Sequence, residues 1–271
     1  MRLWLRARGV AVNADFRAGR SYPHVEDFHV PLLQCAAGLV NTCVLRQQLE
    51  WALAGASFPE DLWVSAHGEV AVPSETARRL TREQLARTDV LVLTLGLAEV
   101  WYKKGPGGEP GPVLWRAVPA HRFSPETHGF RVTSVAENAD NLERVCGLMW
   151  AERPSATVVL TLSPIPMSAT FRGVACVTAN AASKAVLRAA VDEVMRRPAL
   201  APQAAAGQLL YWPAYEMIKE VYPDPYLPDG RHVKPEIVQN VLRLFGKHYF
   251  AQGGSPGAPG TGTPAGAGDQ G

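Results

Sequence analysis

Residues 89–95 read DVLVLTL and residues 156–162 read ATVVLTL. Each is a short, continuous apolar run with no polar alternation. A strand with one wet face alternates, whereas a strand covered on both faces does not. The two runs therefore predict buried parallel strands with helices on either side. Further runs at 10–16 and 208–212 bring the count to four. Helical stretches lie between them: NTCVLRQQLEWALA at 41–54, and a second stretch at 136–150. Residues 180–197 set Leu187, Ala190, Val191, Val194 and Met195 on one face, with Lys184 and Arg188 elsewhere. Residues 235–248 open on proline, which suits the first helical position, and stripe Ile237, Val238, Val241, Leu242 and Phe245. Strand and helix alternate, so the class is α/β, a three-layer α/β/α sandwich on a flavodoxin-like parallel sheet.

The start of the sequence fits this plan poorly. Residues 2–8 predict a short amphipathic helix closed by Gly9, with no N-cap and no strand ahead of it. In a flavodoxin-like order the first strand is central, and without it the strand at 10–16 lacks its neighbour. The expectation is a sequence that begins inside its first helix with the first strand missing. The alternative is a smaller sheet with a genuine N-terminal helix.

A length of 271 residues, 47% hydrophobic and 19% charged, suits one folded domain, placed at 1–250. From 251 onward the sequence is nearly all Gly, Pro, Ala, Ser and Thr, the composition of a disordered tail. A net charge of +2 with scattered arginines excludes a nucleic-acid groove. The uncharged runs at 30–45 and 198–215 are broken by Pro, Gln or Asn and do not read as membrane spans. The N-terminus has no signal-peptide pattern. Cys35, Cys43, Cys146 and Cys176 have neither CxxC nor Cys/His ligand spacing. They are expected to be free thiols in a reducing cytoplasm, and no metal or organic cofactor is called for.

The sharpest local motif is Asp229-Gly230-Arg231-His232, just before the last helix. A carboxylate three residues ahead of a histidine accepts from Nδ1–H, which fixes the tautomer and leaves Nε2 as a general base. An exposed aspartate and an unrelated loop histidine give the same four letters. Position favours the chemical reading, since the motif follows the last strand, at the sheet end where open α/β folds bind ligands.

Several blocks together resemble the GSCFA family of the SGNH (GDSL-like) hydrolases. Thr161-Leu162-Ser163-Pro164-Ile165-Pro166 is similar to its strand ending in T-x-S-P. Ala179-Asn180 with Ser183-Lys184-Ala185-Val186-Leu187-Arg188 is similar to its N-x-x-S-K-x-x-L-R. Trp212-Pro213-Ala214-Tyr215-Glu216 resembles its aromatic-P-x-Y-E strand end. Asp229 and His232 match its closing D-x-x-H, Thr94 to Trp101 its T-L-G-x-A-x-x-W, and Gly38 with Asn41-Thr42 its G-x-x-N. The likeness runs from about Leu3 to Tyr249.

The resemblance implies serine ester chemistry, either hydrolysis or acyl transfer, on a small-molecule or glycan ester, with His232 as base and Asp229 as its orienter. The nucleophile would be the serine of G-S-C-F-A, a motif this sequence lacks, and no Gly-x-Ser-x-Gly replaces it. Ser163, Ser183 and Ser21 are the nearest substitutes. Ser163 reads better as a strand-end turn residue and Ser183 as support for the start of its helix. The oxyanion donors implied are Gly38 and an asparagine. Where SGNH enzymes have G-x-N-D this sequence has Gly96-Leu97-Ala98-Glu99, so Asn41 or Asn180 would supply the amide, with Asn41 favoured; both also suit helix N-caps.

Glu99, Asn180, Glu216 and His121 are candidate substrate contacts. For the two glutamates a structural ion pair is an equal alternative, and His121 sits in a long loop after the strand at 89–95. Trp101 and Trp115 flank a Gly/Pro-rich loop at 104–112; aromatic walls suit sugar rings, and a folded-over loop needs such anchors too. The competing function is a non-catalytic carbohydrate- or protein-binding module. A third possibility is that the functional protein starts upstream and carries the motif.

Overall fold

The computed structural model describes residues 1–12, 41–58, 75–115 and 123–249. In chain order the elements are α1 (Arg2–Arg6), α2 (Thr42–Leu53), α3 (Glu75–Ala86), β1 (Val90–Leu95), β2 (Glu99–Lys104), β3 (Pro110–Val113), β4 (His128–Val132), α4 (Val135–Glu152), β5 (Thr157–Leu162), α5 (Cys176–Arg196), α6 (Ala201–Ala205), β6 (Leu209–Trp212), α7 (Ala214–Glu216) and α8 (Pro235–Tyr249).

Among the described residues the main sheet is parallel, in the order β1-β5-β6. Leu93 stands opposite Leu160, and Leu160 opposite Tyr211. Successive side chains alternate between its faces. Leu91, Leu93, Leu95, Val158, Leu160, Leu162 and Leu209 point into one core, with Leu142, Val145 and Met149 of α4 and Leu187, Val191 and Val194 of α5. Val159 and Trp212 point the other way, against Ile237, Val241 and Phe245 of α8. Helices thus cover both faces, which is the expected α/β/α arrangement. The two crossovers, through α4 and α5, share one face because the sheet grows in one direction. α1 lies against α8, where Gly246 leaves the room that the Trp4 ring fills.

Three regions depart from the sequence reading. Residues 10–12 join neither sheet, and residues 13–16 of the expected strand lie outside the described residues, as does the expected tail at 251–271. The long loop expected after β1 is instead a second, antiparallel sheet in the order β3-β2-β4. Its β2–β3 turn runs through Gly105 and Gly108. Gly108 takes φ +84, a conformation that favours glycine. α5 starts at Cys176 rather than near 180, and no side chain caps it. No described helix is long and apolar enough to cross a membrane.

Candidate functional site

The three parallel strands end at Leu95, Leu162 and Trp212, and the segments that follow them meet at one end of the sheet. Residues 225–234 form a tight turn there. Tyr226 bridges to Val233, and Leu227 N donates to His232 O at 2.7 Å. Gly230 reverses the chain at φ +67. Within this turn Asp229 Oδ1 accepts from the amides of Arg231 and His232, both at 2.9 Å. Its Oδ2 meets His232 Nδ1 in a very short contact. The hydrogen bond from His232, then the two amides, hold the Asp229 carboxyl well below the usual carboxylate range. An ionised acceptor places the shared proton on Nδ1, so Nε2 is the basic nitrogen. The pair is open to solvent, with the His232 side chain 62% exposed.

The turn is anchored to the segment after β5. Tyr226 donates its hydroxyl to Pro164 O at 2.9 Å, and Arg231 Nε donates to Pro166 O at 3.3 Å. Ser163 accepts from Ile165 N at 3.3 Å, so it is a turn residue. Farther along, Met167 N donates to Asn180 Oδ1 at 3.1 Å. Asn180 therefore uses its carbonyl to hold this loop and is not an N-cap, since α5 has already run for a turn.

The segment after β1 is held from α5 as well. Ala98 N donates to Ser183 Oγ at 2.6 Å, and Lys184 Nζ donates to Gly96 O at 3.0 Å. Ser183 does not support the start of its helix, as the sequence suggested; it lies two turns in and binds across to Ala98. Lys184 is only 2% exposed, and burial pulls its ammonium from 10.5 to about 8.

A buried hydrogen-bond chain continues from Ala98 to the N-terminus of α2. Thr133 Oγ1 donates to Ala98 O at 2.9 Å and accepts from Asn138 Nδ2 at 2.7 Å; Asn138 Oδ1 accepts from the Thr42 hydroxyl at 2.7 Å. Thr42 follows Asn41, whose Oδ1 caps Val44 N at 2.8 Å. The chain brings Asn41 to the same end of the molecule as the β1 segment, with its carbonyl used in the cap and its Nδ2 left as donor.

The remaining candidates divide. Glu99 Oε1 accepts from Thr170 at 2.7 Å. Glu216 accepts from Arg188 Nε at 2.8 Å and from the Tyr211 hydroxyl at 2.7 Å. Arg188 also stacks on the Tyr211 ring at 4.6 Å, so Glu216 sits in a three-membered cluster. Gly38, His121, Ser21 and Cys35 lie outside the described residues. Cys43 and Cys146 are free, buried thiols. Burial raises them to about 11 and about 12, which keeps them protonated and unreactive. Among the described residues no group of three His, Cys, Asp or Glu is arranged to hold a metal ion.

The GSCFA family model matches residues 32–245. The chain belongs to the GSCFA family. The match spans both sheets and the Asp229–His232 turn. No curated protein matches the chain. Within this family frame, sequence reading missed Lys184, Thr42, Thr133 and Asn138 as site-building residues. Lys184 carried two signals, its place directly after Ser183 and its match to the N-x-x-S-K-x-x-L-R block. Thr42 stood beside Asn41 in the G-x-x-N block, and Thr133 and Asn138 gave no signal.

Proposed function

We propose that this protein is an SGNH-type serine esterase or acyltransferase acting on an acyl ester, with an acylated glycan as its substrate. The observation that carries the reading is the Asp229–His232 pair, held by a rigid turn at the carboxyl ends of the parallel strands. A serine hydroxyl attacks the acyl carbonyl while His232 Nε2 takes its proton. Asp229 orients the ring and stabilises the imidazolium. Gly38 N–H and Asn41 Nδ2 are the proposed oxyanion donors. Collapse expels the alcohol, which recovers the proton from His232; water or an acceptor hydroxyl then takes the acyl group by the same route. Asn180 and Glu216 belong to the scaffold in this reading, and Glu99 and His121 are the proposed substrate contacts.

The proposed nucleophile is the serine of G-S-C-F-A. This sequence does not contain that motif, so the catalytic reading applies to a form that carries it. The second reading is a binding module on the same fold. It is favoured by Ser163 and Ser183, whose hydroxyls are both occupied in holding backbone.

The test joins a G-S-C-F-A segment ahead of Arg2 and compares that form with the present sequence, using a fluorophosphonate probe and release of acetate from an O-acetylated oligosaccharide. Labelling and turnover confined to the extended form support the enzyme. His232→Ala in that form lowers turnover by roughly 10² or more. Undiminished turnover removes His232 from the mechanism, and an extended form that folds but stays inert leaves the binding module.

A further inference from the structure

The antiparallel sheet carries an aromatic surface that the ester chemistry does not use. Antiparallel register pairs Glu99 with Val132, Trp101 with Phe130, and Lys103 with His128. Residues directly opposite share a face, so these six side chains form one strip. Trp101 is its centre. The rings of Phe171, Phe130 and Phe123 lie 4.6, 5.1 and 5.3 Å from it. Phe171 is 64% exposed and Phe123 40%, although both already touch an aromatic partner.

Polar groups stand at both ends of the strip. Glu99 accepts from Thr170 through Oε1, and its second oxygen remains as an acceptor. His128 Nδ1 accepts from Ser124 N at 3.1 Å, which puts the ring proton on Nε2 as a donor. Four residues along a strand separate Glu99 from Lys103, the cross-strand partner of His128. That is about 14 Å, longer than one sugar ring.

One segment of chain serves both the strip and the candidate catalytic turn. Phe171 and Thr170 lie on the segment after β5, and the same segment receives Tyr226 and Arg231 at Pro164 and Pro166.

We propose that this strip is an oligosaccharide subsite. Its aromatic rings meet the apolar faces of sugar rings, and Glu99 and His128 bind hydroxyls at the two ends. A fatty acyl chain would call for an enclosed apolar cleft rather than an open shelf bounded by a carboxylate and an imidazole. The inference rests on the ester reading for what the subsite serves, and on the strip alone for binding.

The experiment is calorimetric titration of the protein with β-1,4-linked hexasaccharides of glucose, xylose and N-acetylglucosamine, and separately with decanoate. Saturable binding of at least one sugar is expected, weakened about tenfold by Phe171→Ala, since an aromatic contact of this kind contributes roughly that factor. Glu99→Gln should weaken it as well. Phe171 is exposed enough for its removal to spare the fold, and an unchanged urea midpoint checks this. The proposal is overturned if no sugar binds, if both variants bind as the parent does, or if decanoate binds where sugars do not. Binding is read without turnover, so a failure of the ester mechanism does not touch it.

Discussion

Replacing Lys184 with methionine tests the most unusual group at the strand ends. The ammonium is buried, and among the described residues Gly96 O is its acceptor. Burial lowers its pKa from 10.5 to about 8, which corresponds to about 3 kcal/mol against the charged form. Below pH 8 both folded and unfolded chains are protonated and the full cost is present. Between pH 8 and 10.5 the unfolded chain binds more protons, so this group makes stability rise with pH. Methionine removes the buried charge at similar volume. The lost hydrogen bond costs about 1 kcal/mol, so Lys184→Met should be more stable at pH 7 by about 2 kcal/mol.

Other groups oppose this slope. Cys43 and Cys146 are raised by burial from 9.0 to about 11 and about 12. Above about pH 9 the folded chain therefore keeps protons that the unfolded chain loses, and stability falls. The wild-type curve should rise from pH 8 to 9 and then bend over. The difference between wild type and Lys184→Met cancels the thiols and isolates the lysine. Urea unfolding at pH 7, 8, 9 and 10 gives that difference. The variant's advantage should shrink steadily above pH 8. A difference independent of pH, or a variant less stable than wild type at pH 7, would refute the account of Lys184 as a buried cation.

Asn138→Ala removes hydrogen bonds to Thr42, Thr133 and Ser134 O and should cost about 3 kcal/mol at roughly 1 kcal/mol each. A loss under about 1 kcal/mol in urea unfolding would dissolve the buried chain as an energetic unit, and a double-mutant cycle with Thr42→Val should show coupling. Asp229 is held below its usual range by His232 and two amides, so the stability it adds is present above the ordinary aspartate pKa and lost as pH falls through the depressed value. Carboxyl NMR should find its titration midpoint below 3.8 in the wild type and nearer the ordinary value in His232→Ala. In a form carrying the nucleophile, Asp229→Asn should reduce ester turnover roughly 10²-fold or more, because an amide does not hold the same tautomer.

The parallel strands and the Asp229–His232 turn were legible because both are local patterns. β5 reads as a buried strand letter by letter, and four residues suffice for the turn. The antiparallel sheet was not legible. Its outer strands read PGPV and HGFRV, and proline and glycine in such short runs signal loops. The start of α5 was hidden because Ala175 offers no cap. The bonds that hold the strand ends were hidden for a different reason. Ser183 reaches Ala98 across 85 residues, Lys184 reaches Gly96 across 88, and Thr42 reaches Asn138 across 96. No periodicity records a contact of that separation.

The stretch from Asn180 to Arg188 acquires a physical meaning from these contacts. Residues at i, i+4 and i+8 line one ridge of a helix. Asn180, Lys184 and Arg188 occupy that ridge on α5, with Ser183 beside it. Asn180 holds the segment after β5, Ser183 and Lys184 hold the segment after β1, and Arg188 holds Glu216 after β6. One helix thus fixes the chain leaving all three parallel strands of the described sheet. None of these residues needs to touch a substrate for the pattern to be required. A site at strand ends works only if its segments keep fixed distances, and a helix ridge supplies that with a repeat of four residues. The same geometry explains why a lysine is tolerated at 2% exposure. Its ammonium reaches a carbonyl one residue past the end of β1, where a shorter side chain on the same ridge could not.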